Sequence, residues 1–164
     1  MSMFGLIEVL DKADIDYVVV GGLAVALHGY QRLTMDVDVA LAMTAGNVKR
    51  FIDCATTAGW SPIMPVPIEA LADPQQLDRW YREKGMLAFS LREPDSMGTA
   101  IDVLLKPAVA YSDLKRDAVS VAVGALNVPI ASVDHLIAMK SGTGRSKDAV
   151  DIEELRKIRQ RAQP

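Results

Sequence analysis

Three aspartates and a pair of glycines are the residues of this chain best suited to chemistry. Asp36 and Asp38 are separated by Val37, and Asp102 stands between Ile101 and Val103. Side chains alternate along a strand, so Asp36 and Asp38 are expected to share one face. Two carboxylates held that close repel each other unless a cation or water screens them. Hard divalent cations such as Mg²⁺ or Mn²⁺ take oxygen ligands of this kind, with substrate phosphates completing the shell. Gly21 and Gly22 follow the apolar run Tyr17 to Val20. A glycine turn from a strand into a helix exposes backbone N–H groups and lets a phosphate approach closely. One short segment thus offers an anion site and a cation site, which together suit a metal-bound triphosphate.

Each part also has a plain structural reading. Gly-Gly after a strand is a common tight turn. A lone Asp-x-Asp serves as a solvated edge, and Asp102 would fit the polar face of an edge strand. The combination is the more specific signal, because the glycine pair and the acid pair are only thirteen residues apart. An acid flanked by Ile101 and Val103 also implies a largely buried element, where a carboxylate is costly.

The elements that must position these residues can be read from periodicity. Met3, Phe4, Leu6, Ile7 and Leu10 mark a helix face over 3–14. Tyr17 to Val20 reads as a buried strand. Leu23 to His28 reads as a short helix closed by Gly29, and Asp36 to Leu41 as a second strand. Residues 45–58 read as an amphipathic helix ended by Gly59, and Trp60 to Asp73, with its prolines, as irregular chain. A helix over 75–84 is stopped by Gly85. Strands at 86–91 and 100–105 are joined by a polar turn at Glu93 to Gly98. A hairpin over 119–130 turns near Gly124. Ser132 is an N-cap for a helix through Lys140, and Ser146 is a candidate N-cap for a last helix over 147–161. The expected fold class is α/β (α+β), a mixed β-sheet flanked by helices. The chain reads as one domain over 1–164, with a core at about 15–131 and a helical tail at about 132–164.

Bulk composition narrows the function. The 164 residues are 50% hydrophobic and carry a formal net charge of -3. That is globular composition, without the broad basic surface that binds nucleic acid by neutralising phosphates. Cys54 is the only cysteine, so an internal disulfide is excluded, and it reads as a buried spectator. The first residues lack the pattern of a signal peptide, and no apolar run reaches a membrane span. The expectation is a cytoplasmic protein with no membrane partner.

Val20-Gly21-Gly22, Asp36-Val37-Asp38-Val39 and Ile101-Asp102-Val103 resemble the motifs of the DNA polymerase β-like nucleotidyltransferase superfamily, across roughly 15–105. Leu136 to Lys140, then Gly144-Arg145-Ser146-Lys147-Asp148 and Asp151-Ile152, resemble the tail of its AbiEii-type branch, which includes toxins of bacterial toxin–antitoxin pairs. The resemblance implies a minimal nucleotidyltransferase fold with a helical C-terminal tail. It implies Asp36, Asp38 and Asp102 as metal ligands and catalytic residues, and Gly21 and Gly22 at the triphosphate. It also implies functional roles for Lys140 and Asp148. The family often has Ser at the second glycine, and Gly22 lacks that hydroxyl. Arg32, Arg145 and Lys147 complete the candidate phosphate-binding set. Arg32 also reads as an ordinary surface arginine. Arg145 and Lys147 also read as a solvated loop paired with Asp148 or Asp151. The implied partners are a nucleoside triphosphate and an acceptor hydroxyl on tRNA, a protein or a small molecule. An antitoxin or a second copy of the chain is a further possible partner. The alternative is a catalytically inactive nucleotide-binding or regulatory module of the same fold.

Overall fold

The structure is a computed structural model and describes residues 1–93 and 98–163. Seven helices are described, α1 (Met3–Lys12), α2 (Gly21–Leu27), α3 (Ala45–Thr57), α4 (Pro74–Lys84), α5 (Tyr111–Arg116), α6 (Val133–Lys140) and α7 (Ser146–Ala162). Seven strands, β1 (Tyr17–Val20), β2 (Val37–Leu41), β3 (Ser61–Pro62), β4 (Ala88–Arg92), β5 (Ile101–Leu104), β6 (Val119–Val123) and β7 (Leu126–Ile130), form one mixed sheet in the order β3-β4-β5-β2-β1-β7-β6.

The sheet centre follows from side-chain type. Tyr17, Val18, Val19 and Val20 of β1 are all buried, so this strand is covered on both faces. β-Branched residues suit such a position, since the pleated surface accommodates their stiff side chains. β1 pairs antiparallel with β2 and parallel with β7. β2 then pairs parallel with β5, and the register sets Val37 beside Ile101, Asp38 beside Asp102 and Val39 beside Val103. The valines and isoleucine are fully buried. Alternation therefore sends the two aspartates together to the opposite face.

Caps fix the helix ends. Ser2, Thr44, Asp73 and Ser132 each accept an N–H of the following turn. Gly85 takes the left-handed conformation that ends α4 (φ 63°), as glycine does most cheaply. Buried Asn47 acts as a side-chain tie. It accepts the Asp16 N–H at 2.8 Å and donates to the carbonyls of Asp16 and Ala42, each at 2.9 Å. It thereby pins α3 to the end of the β1–β2 pair where β1 begins and β2 ends.

Several expected boundaries shift. α2 starts at Gly21 itself, with Val20 as its N-cap and no side-chain cap bond, so the glycine turn (φ 63°) is made at the helix's first residue. Ser146 is the first residue of α7, and the cap position belongs to Arg145, again without a side-chain cap bond. The segment 60–73 is not irregular throughout, since Ser61–Pro62 pairs with β4 and Ile68–Ala72 makes a 3-10 turn. α5 has only six residues, too few for a periodic signal in the sequence. Residues 94–97 of the turn expected between β4 and β5 lie outside the described residues. No described helix is long and apolar enough to cross a membrane.

The β2–β5 pairing predicts one stability effect directly. Ile101 is fully buried beside Val37, so Ile101→Ala should lower unfolding stability by about 2–5 kcal/mol. Chemical denaturation would read this as a fall in midpoint at constant slope.

Candidate functional site

The acid pair is arranged by the start of β2. Asp38 lies within the strand and is partly buried, whereas Asp36 precedes it and is exposed. Asp36 Oδ1 accepts the Ala100 N–H at 3.4 Å, just ahead of β5. Asp102 comes alongside Asp38 through the parallel register. It also lies opposite Ser90 of β4, whose hydroxyl donates to its carboxylate. Three carboxylates thus meet at one edge of the β2–β5 pair.

Their electrostatics are those of acids under strain. Burial, then the charges of Asp102 and Asp36, push the Asp38 carboxyl up to about 6, against a hydrogen bond from the Gly22 N–H and the charge of Lys140. Burial and the Asp36 charge also raise Asp102, against the Ser90 hydrogen bond. Among the described residues no group of three or more His, Cys, Asp or Glu side chains is gathered tightly enough to cage an ion unaided. The donor set nevertheless fits Mg²⁺ or Mn²⁺. Mg²⁺ is ordinarily held by one or two carboxylates plus substrate phosphates, without an all-protein cage. An opposite charge there would favour the ionised form of Asp38 and Asp102, which burial disfavours.

The glycines meet this edge in two ways. Gly21 has φ +63°, and a Cβ there would stand 1.9 Å from Asp38 Oδ2. Only glycine allows the chain to turn into α2 while Asp38 lies against it. The Gly22 N–H is directed at Asp38, so in this structure that amide serves the acid pair. A Cβ on Gly22 would come within 2.9 Å of Thr34 Oγ1 and 3.3 Å of Arg32 Cζ.

Arg32 is not the surface arginine of the plain reading. It pairs through Nη1 with Asp151 of α7, and its side chain is 16% exposed. Lys140, at the end of α6, is buried and bridges Asp148 at 3.1 Å and Asp151 at 2.9 Å. Asp148 also accepts from Thr143 Oγ1 at 2.7 Å and Arg145 Nε at 2.6 Å. Burial would raise the Asp148 carboxyl, but the bonds from Thr143, Lys140 and Arg145 outweigh it and hold it below the usual range. The plain reading therefore holds for Arg145, which is paired. Lys147 is exposed, and among the described residues it is the one cation of the candidate set without an ion pair.

All ten candidate residues border one cleft of about 460 Å³ between the β2–β5 edge and the α6–α7 corner: Gly21, Gly22, Arg32, Asp36, Asp38, Asp102, Lys140, Arg145, Lys147 and Asp148. A larger, more apolar cavity of about 1210 Å³ lies against α3 and α4 and holds none of them. Size alone does not locate the chemistry. The larger cavity also carries Lys49, Asp53, Asp78 and Lys106, but these close into exposed ion pairs among themselves, whereas the smaller cleft brings the acids and the glycine pair together. Two further residues support the cleft: Thr34 lines it, and Asp151 lies behind its wall against Arg32 and Lys140. Thr34 was signalled by the two-residue spacing Arg32, Thr34, Asp36. Asp151 was signalled by its i+3 spacing from Asp148, which puts both acids on one side of α7. Outside the cleft, His28 Nε2 donates to the Ala131 carbonyl at 2.8 Å, a structural tie. Cys54 Sγ is bonded to the Phe51 carbonyl, and burial pushes its thiol up to about 11. That thiol is a poor nucleophile.

Comparison with solved structures places the architecture. The chain is similar to lincosamide antibiotic adenylyltransferase LnuA, solved with lincomycin bound, with TM-score 0.60 and 17% identity over 96% of both chains. The fold is that of the nucleotidyltransferases. An antigenic nucleotidyltransferase-like protein from Paracoccidioides brasiliensis matches with TM-score 0.57 and 18% identity, over 97% of this chain and 74% of its own. The antibiotic-resistance factor ANT(2'')-Ia matches with TM-score 0.53 and 10% identity, over 94% and 85%. No family model and no curated protein matches the sequence. At these identities the nucleotidyltransferase fold is what is shared.

Two outcomes follow from the geometry. Asp38 is held near 6 in the folded chain against an ordinary value of 3.8. Between those values the folded state keeps a proton that the unfolded state has lost, so stability falls as pH rises through that window. Asp38→Asn should therefore stabilise the chain at pH 7 in chelator by up to about 3 kcal/mol, a gain that shrinks toward pH 4. Thermal melts across pH 4–7 measure it. Gly21→Ala should cost at least about 1–2 kcal/mol from its left-handed backbone alone. It should also displace Asp38, so the pH-dependent part of the melting curve should change with it.

Proposed function

We propose that this protein transfers a nucleoside monophosphate from a nucleoside triphosphate to an acceptor hydroxyl. The observation that supports this reading most is the meeting of Asp36, Asp38 and Asp102 in a cleft that Arg32, Lys140, Arg145 and Lys147 also line. Acids and cations lining one cleft suit a ligand that is itself a metal-bound polyanion. The nucleotidyltransferase fold and the adenylyltransferase among its structural neighbours support the same reading.

Asp36, Asp38 and Asp102 would hold Mg²⁺ or Mn²⁺, whose contribution when bound is to offset charge on the phosphates and on the attacking oxygen. The chain's own groups do the rest. The acceptor hydroxyl attacks the α-phosphorus, the bond from the α-phosphorus to the bridging oxygen breaks, and pyrophosphate leaves with that oxygen. The family resemblance gives Asp102 the hydroxyl proton, and burial raises its carboxyl as it raises that of Asp38. Arg32 and Lys147 stabilise charge on the departing phosphates, while the buried Lys140 keeps the cleft wall positive beneath them. Catalysis of this kind is positioning and electrostatics.

The AbiEii-like tail motif supports a narrower reading, in which the acceptor is a macromolecule and the protein is the toxin of a toxin–antitoxin pair. The small-molecule-bound LnuA neighbour supports a small hydroxylated acceptor. The acidic net charge of -3 and the single unpaired cation of the cleft favour the second over a polyanionic acceptor.

A melting panel with ATP, CTP, GTP and UTP, with and without Mg²⁺, tests the nucleotide half. A ligand that binds only the folded chain raises the melting temperature, and Asp36→Asn should abolish the Mg²⁺-dependent part. The transfer half is tested by pyrophosphate release with tRNA and with small aminocyclitol or sugar alcohols as acceptors. Asp38→Asn should lower that release on the order of 10²–10³-fold. Turnover retained in that variant overturns the assignment. Nucleotide binding without turnover on any acceptor points to the inactive binding module.

A further inference from the structure

Gly22 has no side chain, and the space one would take is already filled. Thr34 Oγ1 and the Arg32 guanidinium carbon stand 2.9 Å and 3.3 Å from the position of its missing Cβ. Both come from the segment between α2 and β2. Within it Arg32 and Thr34 are drawn inward, while Leu33 and Met35 are 85% and 58% exposed. Thr34 Oγ1 contacts only the Asp36 carbonyl, at a long 3.3 Å, so its hydroxyl is nearly free to serve a ligand. Arg32 is held from behind by Asp151, which is 119 residues away in sequence. The Asp151 side chain is 3% exposed and also accepts from Lys140 at 2.9 Å. A guanidinium carries five N–H donors in a rigid fork. Anchoring Arg32 through Nη1 therefore restrains the guanidinium and leaves its other donors without a protein partner among the described residues.

We infer that Arg32 and Thr34 supply the side-chain phosphate donors that Gly22 lacks, and that Asp151 is the positioning residue that holds Arg32 in place. This rests on the nucleotide reading of the cleft. The hydroxyl absent from residue 22 is replaced by one brought in from residue 34. The ligand is the phosphate chain of the nucleotide and not its base. Lys140 shares the Asp151 carboxylate, so one buried acid sets the position of two cleft cations.

Two readouts separate the parts of this inference. Limited trypsin digestion with mass analysis reports whether Arg32 is clamped, because cleavage between Arg32 and Leu33 needs that segment to open. Melting and titration with ATP, CTP, GTP and UTP plus Mg²⁺ report phosphate binding. In the wild-type chain the Arg32 bond should be cut slowly. Asp151→Asn should speed that cut at least about tenfold and weaken nucleotide binding about tenfold or more. Thr34→Val should leave the cut and the ligand-free melting temperature unchanged, yet weaken binding about 3- to 10-fold. Arg32→Lys keeps a charge for Asp151 but loses the fork, and should weaken binding about tenfold at unchanged melting temperature. If Asp151→Asn does not fold, these last two variants carry the test. Wild-type affinity in both Thr34→Val and Arg32→Lys overturns the donor assignment. An Asp151→Asn chain that keeps Arg32 protected overturns the clamp. A wild-type chain that binds none of the four nucleotides overturns the nucleotide reading beneath both, while slow cutting at Arg32 would still show the clamp.

Discussion

Parallel pairing of β2 with β5 sets Asp38 beside Asp102, two carboxylates on neighbouring strands that are otherwise lined by buried valine and isoleucine. Such a pair costs free energy in an unliganded fold, because burial and like charge both disfavour ionisation. The register cannot slip to relieve it. A shift of one residue would turn Val37, Val39, Ile101 and Val103 out of the core. The core thus enforces the acid cluster, and the cost is offset only by local dipoles such as the Gly22 N–H and the Ser90 hydroxyl, or by a cation. A site whose ligand relieves a built-in repulsion gains affinity from the relief itself.

The opposite wall solves a different problem. Lys140 is buried, and a lone buried ammonium would lose its charge or destabilise the fold. Asp148 and Asp151 pair with it directly, and Arg32 and Arg145 in turn balance the second negative charge they bring. The result is a cluster of three cations on two acids, with its surplus positive charge facing the cleft. α6 and α7 pack closely on each other around that cluster, and α6 also touches α2. The C-terminal corner is in this sense part of the site wall, seated by that cluster together with the fully buried Leu136 and Leu155.

Much of this was legible in the sequence, for identifiable reasons. β1 and β2 announce themselves by β-branched runs and strict alternation. Gly21, Gly22, Asp36, Asp38 and Asp102 stand out in type and spacing, whereas Lys140 and Asp148 enter only through the resemblance of the tail, and Arg32, Arg145 and Lys147 as basic residues beside those motifs. What stayed hidden depended on contacts across the chain. Asp151 looks like any helix acid until Arg32, 119 residues earlier, is seen against it. Thr34 looks like a loop threonine until the empty side of Gly22 is placed beside it. The glycines were read as phosphate ligands, and sequence could not show that the Gly22 N–H turns first to Asp38. Short elements failed for lack of period. α5 spans six residues and β3 two, and neither length completes a pattern that the eye can test.

The two adjacent glycines show how differently one residue type can be required. Gly21 is demanded by its own backbone, since φ +63° and an Asp38 oxygen 1.9 Å from the missing Cβ leave no room for any side chain. Gly22 has helical backbone that any residue adopts, and what excludes a side chain there is a neighbour. A serine at 22 would crowd Thr34 Oγ1 at 2.9 Å and the Arg32 guanidinium carbon at 3.3 Å, and both side chains would have to move. Arg32 is tied to α7, so that movement would also disturb the Asp151 pair. The choice of Gly at 22, Thr at 34 and Asp at 151 is therefore a coupled one. Changes at these positions should be non-additive, because residues that share a partner couple while distant independent sites do not.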